Sequence, residues 1–477
     1  MIRYKQLASN VMQDITDDRL VLGARMPSVR QFAKQHTVSM TTALNCYNKL
    51  HELGWLSVKP QSGYFVARPL TLSNAPTFPK FSVSVTVPNG YVNSYTHSDA
   101  QVEEPNSEKP FYTAQLAAGM IPRELLNRCF HRGNLRSIND NFQYPAASGE
   151  LNLRSALSEH VTQNYFTLYA QELIITNGCI DAVRSAIDIV SEAGDTIAIS
   201  SPCFSGLLNL LLSMKRKVLE IPCHNAQLDL TQLESYMRTG ALKAGLFSAN
   251  FINPHGLCLS IEQKKSLVKL ATKYQVPIIE DDVFLELGFN NFKPKPIKYW
   301  DDQGWVIWCG SISKSVAPSY RLGWCAPGRF YTAYINHRQV NSLAVNVPVQ
   351  AAFFEFINSG QYSKHLKKTT LSLSQHAIAY HRFLTDHLPK YACVSTLQGG
   401  MVMWVQVPGL DFFSVDEKAA ELRLNFKKGA EFSTLALYKD CIRLNVGWPL
   451  EYELKDGLKV SDKLQQLCEL INQQLEL

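Results

Sequence analysis

No two cysteines in this chain are spaced C-x-x-C, and none of the 11 lies in a Cys/His cluster at zinc spacing. That excludes a readable zinc site or dithiol centre, and no metal is expected. Cysteines scattered singly read as reduced, small apolar packing residues, which points to a cytoplasm. Long apolar runs are missing too. The most apolar stretches, such as LLNLLLSM from Leu207, fall far short of the roughly 18 residues a membrane span needs. The first residues, MIRYKQLASNVMQD, carry polar residues throughout and hold no apolar signal segment. The expectation is a soluble cytoplasmic protein with no membrane partner. Charged residues make up only 18% of the chain against 46% apolar, as in an ordinary globular protein. A length of 477 residues exceeds one core, so two or three domains are expected.

The charges that exist are unevenly spread. Residues 1–70 hold nine Lys and Arg (Arg3, Lys5, Arg19, Arg25, Arg30, Lys34, Lys49, Lys59, Arg68) against four acids (Asp14, Asp17, Asp18, Glu52), so this stretch carries +5 of the chain's +6. A basic head on a nearly neutral body points to a polyanion as the partner of the head alone. YKQLASNVMQDIT sets Leu7, Val11 and Ile15 on one helical face. LVLGARMPSVRQFAKQHTVS gives a Gly-Pro turn and a short helix from about Ser28. SMTTALNCYNKLHELG starts at a Ser39 N-cap, buries Ala43, Tyr47 and Leu50, and stops at Gly54. WLSVKPQSGYFVA alternates into and out of a turn, a two-stranded wing.

Helix, helix, turn, helix and wing over residues 1–68 make a winged helix-turn-helix. The stretch resembles the GntR type of bacterial regulator, whose PS-x-R, S-x-x-T and sG-x-[FY]-V elements it follows. The resemblance implies double-stranded DNA as partner. Arg30, Ser39 and Thr41 would meet the backbone and major groove, and the Ser62–Gly63 wing tip would reach toward the minor groove. Hydroxyls and amides at a helix N-terminus suit phosphates, and guanidinium suits phosphate or guanine. Met40 and Asn45 stand where the family often has basic residues, which implies weaker or more apolar base readout.

Residues 69–110 are rich in Pro, Ser, Thr and Asn and read as a linker. Within it, FSVSVTV has the pattern of a short strand, and the rest reads as a tether. From Phe111 to the end at 477, strand and helix signals alternate: ELIIT, then GCIDAVRSAIDIV, then DTIAIS, followed by GLFSAN, VPIIED and WVIWCG. That rhythm predicts an α/β domain with a largely parallel sheet and sites at strand ends. Four features fall there: TNGCIDAV, which turns a strand into a helix through Gly178; ANFINPHG with Asn253; IIEDDVF with Asp281 and Asp282; and GSISKS with Ser311, Ser313 and Lys314.

In this order, the four resemble the fold-type I pyridoxal-5'-phosphate enzymes, the aminotransferase superfamily, over residues 111–477. The resemblance implies a large, mostly parallel sheet domain with a smaller α+β subdomain, and pyridoxal phosphate as cofactor. Lys314 would bind it covalently as the catalytic lysine. Arg321 (RLGW) and Ser311 would hold its phosphate with the Gly178 and Cys179 amides. Asp281 would face the ring nitrogen, Asn253 the ring hydroxyl, and Phe204 would stack on the ring. Tyr144 would reach a neighbouring subunit's phosphate, which implies a homodimer. Arg443 (IRLNVGW) would grip the α-carboxylate of an amino compound. Phe284 replaces a tyrosine that contacts the ring hydroxyl, and Cys179 and Ile180 replace polar residues. One lost hydrogen bond is worth on the order of 1 kcal/mol, so cofactor binding should survive while turnover weakens.

Head and body together are the arrangement of MocR-type regulators, which implies a domain-swapped dimer and a small amino-compound effector acting through Lys314. Two further readings stay open at this point. One is a working aminotransferase with an accessory head. The other is a sensor of pyridoxal phosphate itself.

Overall fold

Ser39 sits one residue before a helix, and its side chain accepts from the Thr42 amide at 3.1 Å. Such a cap is worth roughly 1 kcal/mol. It opens α3 (Met40–Glu52), which follows α1 (Arg3–Thr16) and α2 (Val29–Gln35). Ser28 caps α2 in a reciprocal box: Gln31 N donates to the Ser28 hydroxyl and Ser28 N donates to the Gln31 side chain at 3.0 Å. The antiparallel strands β1 (Leu56–Lys59) and β2 (Gly63–Val66) complete the winged helix-turn-helix. Ala43, Tyr47 and Leu50 pack with Val11, Ile15, Phe32, Leu56 and Val66 into one core. On α1 it is Ala8 that joins them, while Leu7 is half-buried at the rim. The Tyr47 hydroxyl donates to the Pro27 carbonyl at 2.9 Å and fixes the turn before α2.

The computed structural model describes residues 3–16, 19–20, 24–53, 55–59, 63–66, 75–86, 108–136, 144–224 and 226–475. Gly54, Ser62 and the linker outside 75–86 and 108–110 lie beyond the described residues. Two compact units divide the chain, one formed mainly by residues 1–73 and the other by most of 74–477.

In the second unit the helices α4 (Arg123–Arg136) and α5 (Leu151–Asn164) precede a large mixed sheet. Its members are β3 (Val85–Thr86), β4 (Ile174–Thr176), β5 (Thr196–Ser201), β6 (Lys217–His224), β7 (Gln227–Leu228), β8 (Leu242–Phe247), β9 (Ile278–Asp281), β10 (Val306–Ser311) and β11 (Gly323–Ala326). The order is β3-β6-β5-β8-β9-β10-β11-β4, with β7 paired to β6. Strands β6, β5, β8, β9 and β10 run parallel; β11 and β3 are antiparallel to their neighbours. The parallel strands are apolar and buried almost throughout, as a sheet covered on both faces requires. A smaller antiparallel sheet follows, in the order β12 (Cys393–Val394), β13 (Val402–Gln406), β15 (Cys441–Asn445), β14 (Lys427–Lys428). All 11 cysteines are free thiols, buried except for the half-buried Cys258 and Cys393. Among the described residues no helix is long and apolar enough to cross a membrane.

One part of the expected tether is not free. Residues 75–86 lie on the body, ending as the edge strand β3, which pairs Val85 with Leu219 and Thr86 with Val218. Ahead of it, Thr77 N donates to the Gln406 side chain at 2.8 Å, Val83 N to that of Gln232 at 2.8 Å, and the Tyr236 hydroxyl to the Val83 carbonyl at 2.9 Å. Phe78 is buried among Trp404, Phe432 and Tyr438. The strand expected in FSVSVTV is thus present as β3, while residues 75–80, with no helical period, carry no local sign of partners hundreds of residues away and read as tether.

Candidate functional site: a buried lysine at the sheet edge

The parallel strands deliver their last residues to one edge of the sheet, where α/β folds form their sites. After β4 the chain turns through Asn177 and Gly178 into α6 (Cys179–Val190). Gly178 has φ 87°, and a Cβ there would lie 2.7 Å from Arg321 Nη2, so only glycine leaves room for the guanidinium. Arg321 itself is left-handed (φ 48°, ψ 44°) and donates through Nη2 to the Asn177 carbonyl at 3.1 Å. An exposed guanidinium thus lies against a helix N-terminus, a pairing suited to an anion.

Asp281 ends β9. Burial raises its pKa, while a hydrogen bond from the Cys179 thiol (Sγ to Oδ1 3.1 Å) and the positive charge of Lys314 oppose the rise. Lys314 lies in the turn after β10. Burial, reinforced by Arg443, draws its amine from 10.5 down to about 8, against the pull of Asp281. An amine tuned to that range is partly unprotonated near neutral pH and so nucleophilic. Its Nζ donates to the Ala114 carbonyl at 2.8 Å. Arg443, on β15, is buried, which lowers its pKa to about 10; Nη2 donates to the Tyr112 carbonyl.

Three buried polar atoms here have no partner: Asn253 Oδ1, Ser313 Oγ and Arg443 Nε. An unpaired buried polar atom is worth roughly 1–3 kcal/mol of destabilisation, and two of these belong to Ser313 and Arg443, beside Lys314, which suits a polar ligand there. Ser311, at the end of β10, accepts from Ser313 N at 3.3 Å. Asn253 follows β8 and begins a cis peptide to Pro254. Phe204 caps α7 (Ser205–Ser213), and a Cβ on Gly206 would meet its ring at 2.5 Å. Phe284 is buried just beyond β9.

The structure therefore brings Gly178, Cys179, Asp281, Lys314, Arg321 and Arg443 into mutual reach, and sets Phe204, Asn253 and Ser311 at the same strand ends. Tyr144 stands apart, with 92% of its surface exposed. In the head, Arg30, Ser39 and Thr41 are exposed, and Gly63 opens β2 at φ 97°. The Ser39 hydroxyl is already engaged as the cap of α3. Sequence reasoning missed the segment that meets Lys314 and Arg443, Tyr112 to Ala114. Tyr112 and Arg443 are 331 positions apart, and a main-chain acceptor leaves no side-chain signature.

A winged helix on a sheet domain with a buried strand-end lysine defines a class, a DNA-binding head on a fold-type I aminotransferase-like body. Residues 115–452 match the family "aminotransferase class I and II", and residues 3–66 match "bacterial regulatory proteins, gntR family". The chain belongs to the class I and II aminotransferase family and has the MocR-type regulator architecture. It is 28% identical over 466 residues to the uncharacterized HTH-type transcriptional regulator YjiR of Escherichia coli strain K12, covering 96% of this chain and 98% of that protein. With YdcR of the same strain it shares 28% identity over 479 residues and the full length of both. The multiple substrate aminotransferase MsAT from Thermococcus profundus shares its fold at TM-score 0.70 and 22% identity, over 80% of this chain and 98% of that one.

Proposed function

We propose that this regulator binds pyridoxal 5'-phosphate on Lys314 and answers to an amino compound whose carboxylate is held by Arg443. The observation that carries the reading is the buried Lys314 amine, drawn down to about 8 beside Asp281 and Arg443. The surrounding groups fit the cofactor. Arg321, Ser311 and the amides at Gly178 and Cys179 suit its phosphate. The buried Asp281 carboxylate suits a protonated ring nitrogen, the unpartnered Asn253 Oδ1 suits the ring hydroxyl, and Phe204 suits the ring face. Bound there, pyridoxal phosphate would supply an amine-reactive aldehyde carbon within reach of Lys314 and an electron-withdrawing ring.

Tyr144, exposed on its own chain, serves the phosphate of a second subunit, so the working form is a homodimer, domain-swapped as in its family. The head, residues 1–68, grips double-stranded DNA in the cytoplasm through Arg30, Ser39, Thr41 and Gly63. Residues 69–110 join it to the body, 111–477, with 75–86 fastened to the body. An effector shifts DNA binding only by favouring one arrangement of the dimer over another.

Absorption spectroscopy tests the reading. Added pyridoxal phosphate should give a band near the visible edge that Lys314→Ala abolishes and that one amino compound shifts. No band in the unaltered protein would leave only the DNA-binding half. The tuned Lys314 amine also favours turnover as a competing reading. Sustained release of a keto acid would establish it, while Phe284 in place of tyrosine weighs against it. If cofactor alone alters DNA affinity, the signal is pyridoxal phosphate itself.

A further inference from the structure

Residues 110–117 run alongside Lys314 and Arg443, pinned at both ends to β15 and the residues just after it. Asn445 Nδ2 donates to the Pro110 carbonyl at 2.9 Å and to the Gln115 carbonyl at 3.0 Å, and Asn445 N donates to the Phe111 carbonyl at 3.0 Å. Ala117 N reaches the Gly447 carbonyl at 3.0 Å. The approach is close enough that a Cβ on Gly447 would lie 2.2 Å from the Gln115 carbonyl, so glycine is required there. Between the pins, the Tyr112 carbonyl takes Arg443 Nη2 and the Ala114 carbonyl takes Lys314 Nζ. One short segment therefore occupies two of the site's cations, Lys314 and Arg443.

It occupies Arg443 incompletely. A guanidinium presents a fork of donors that a carboxylate fills with two oxygens, whereas a main-chain carbonyl brings one neutral oxygen. Arg443 Nε is left buried and without a partner. A ligand carboxylate would satisfy both donors and bring a charge, roughly doubling the strength of each bond. A plain amine offers Arg443 nothing and has no means to dislodge the carbonyl.

Resting on the reading of this pocket as an amine-binding cofactor site, we propose that the Tyr112–Ala114 strap is the specificity-determining element. Its Tyr112 carbonyl is a stand-in for a ligand carboxylate on Arg443. Carboxylate-bearing amines displace it, and plain amines leave it seated. The ends held by Asn445 stay fixed, so the movement is confined to residues 112–114. Because the strap follows directly on the linker in the chain, carboxylate binding loosens the body's first residues after it.

The test uses the full-length protein loaded with pyridoxal phosphate and hydrogen exchange of the peptide covering 108–117. The probes are the common amino acids and the amines they give on decarboxylation, each at a concentration that shifts the absorption band. The expected result is that the amino acid speeds strap exchange at least tenfold while its amine shifts the band and leaves exchange unchanged. In Arg443→Gln the strap should exchange fast without any ligand and ignore carboxylates. Equal exchange with both members of a pair, or a band shift with no change in exchange for either, overturns the proposal. If the band forms but no compound shifts it, the reading of the pocket as an amine-binding site has failed and the proposal falls with it.

Discussion

The Lys314 site of the body and the exposed face of α3 in the head are built by opposite means. In the pocket, Lys314 and Arg443 are buried and their pKa values are drawn down to about 8 and about 10, so dehydration sets their chemistry. On the head, the exposed start of α3 shows Met40 (52% exposed), Thr41, Leu44 and Asn45, with no cation among them. A dehydrated cation acts at short range and selects its ligand by shape and charge. An exposed face relies on a few cations whose grip on phosphate weakens with salt. This regulator should therefore be strict about its small ligand and permissive about DNA.

Breaking the head alone should have the largest effect. Tyr47→Ala removes a fully buried ring and its bond to Pro27, a loss of roughly 3–5 kcal/mol for an aromatic core truncation. DNA binding should vanish while the cofactor band and the body's unfolding transition stay put. A matching shift in the body would show that the units are not energetically separate.

The second effect belongs to the buried amine. A drop from 10.5 to about 8 disfavours the ammonium form by roughly 3 kcal/mol. Because the folded value is below the unfolded one, this penalty is present in full below about pH 8 and fades as pH rises toward 10.5. Cofactor-free Lys314→Met should accordingly be more stable than the parent at pH 7, by roughly 2–3 kcal/mol after the Ala114 carbonyl loses its donor. Thermal melts across pH should show the gap closing above pH 8. A gap that is flat with pH would mean that the charge of Lys314 is not what burial acts on.

The third effect is at the anion cradle. Gly178→Ala adds roughly 1–3 kcal/mol of backbone strain at φ 87°, ψ 172° and forces Arg321 away. Its affinity for pyridoxal phosphate should fall about 10- to 100-fold, with DNA affinity in the absence of cofactor unchanged. Unaltered cofactor affinity would remove Arg321 and this helix end from the phosphate site.

What could be read from sequence follows the range of the interactions. The caps Ser28 and Ser39, and the strands in ELIIT, DTIAIS, VPIIED and WVIWCG, declare themselves through neighbours a few residues away. The strand Gly323–Ala326 was hidden because its four residues sit inside a motif dominated by Lys314 and Arg321. The resemblance implies the smaller subdomain, but the individual strands of its sheet are not legible, since β12 and β14 have only two residues each. FSVSVTV shows the strand pattern that ends as β3, but the strap and residues 75–80 bond through their own main chain to side chains hundreds of positions away, a term that no local pattern encodes.

The smallest effect gives the most direct test of the contrast, because it lends the head what the pocket already has. Met40 is the first residue of α3 and half exposed, so Met40→Arg adds a cation to the reading face without touching the core. A positive charge at a helix N-terminus opposes the helix dipole, so stability should drop by roughly 0.3–1 kcal/mol. One added phosphate contact should steepen the slope of log affinity against log salt by about 1 and tighten binding several-fold at low salt. Because that gain comes from counterion release, it should disappear as salt rises toward physiological strength, and it should be nearly the same for unrelated DNA sequences. An affinity and salt slope both unchanged would mean that this face of α3 does not meet DNA, and that Arg30 and the wing carry the grip without it.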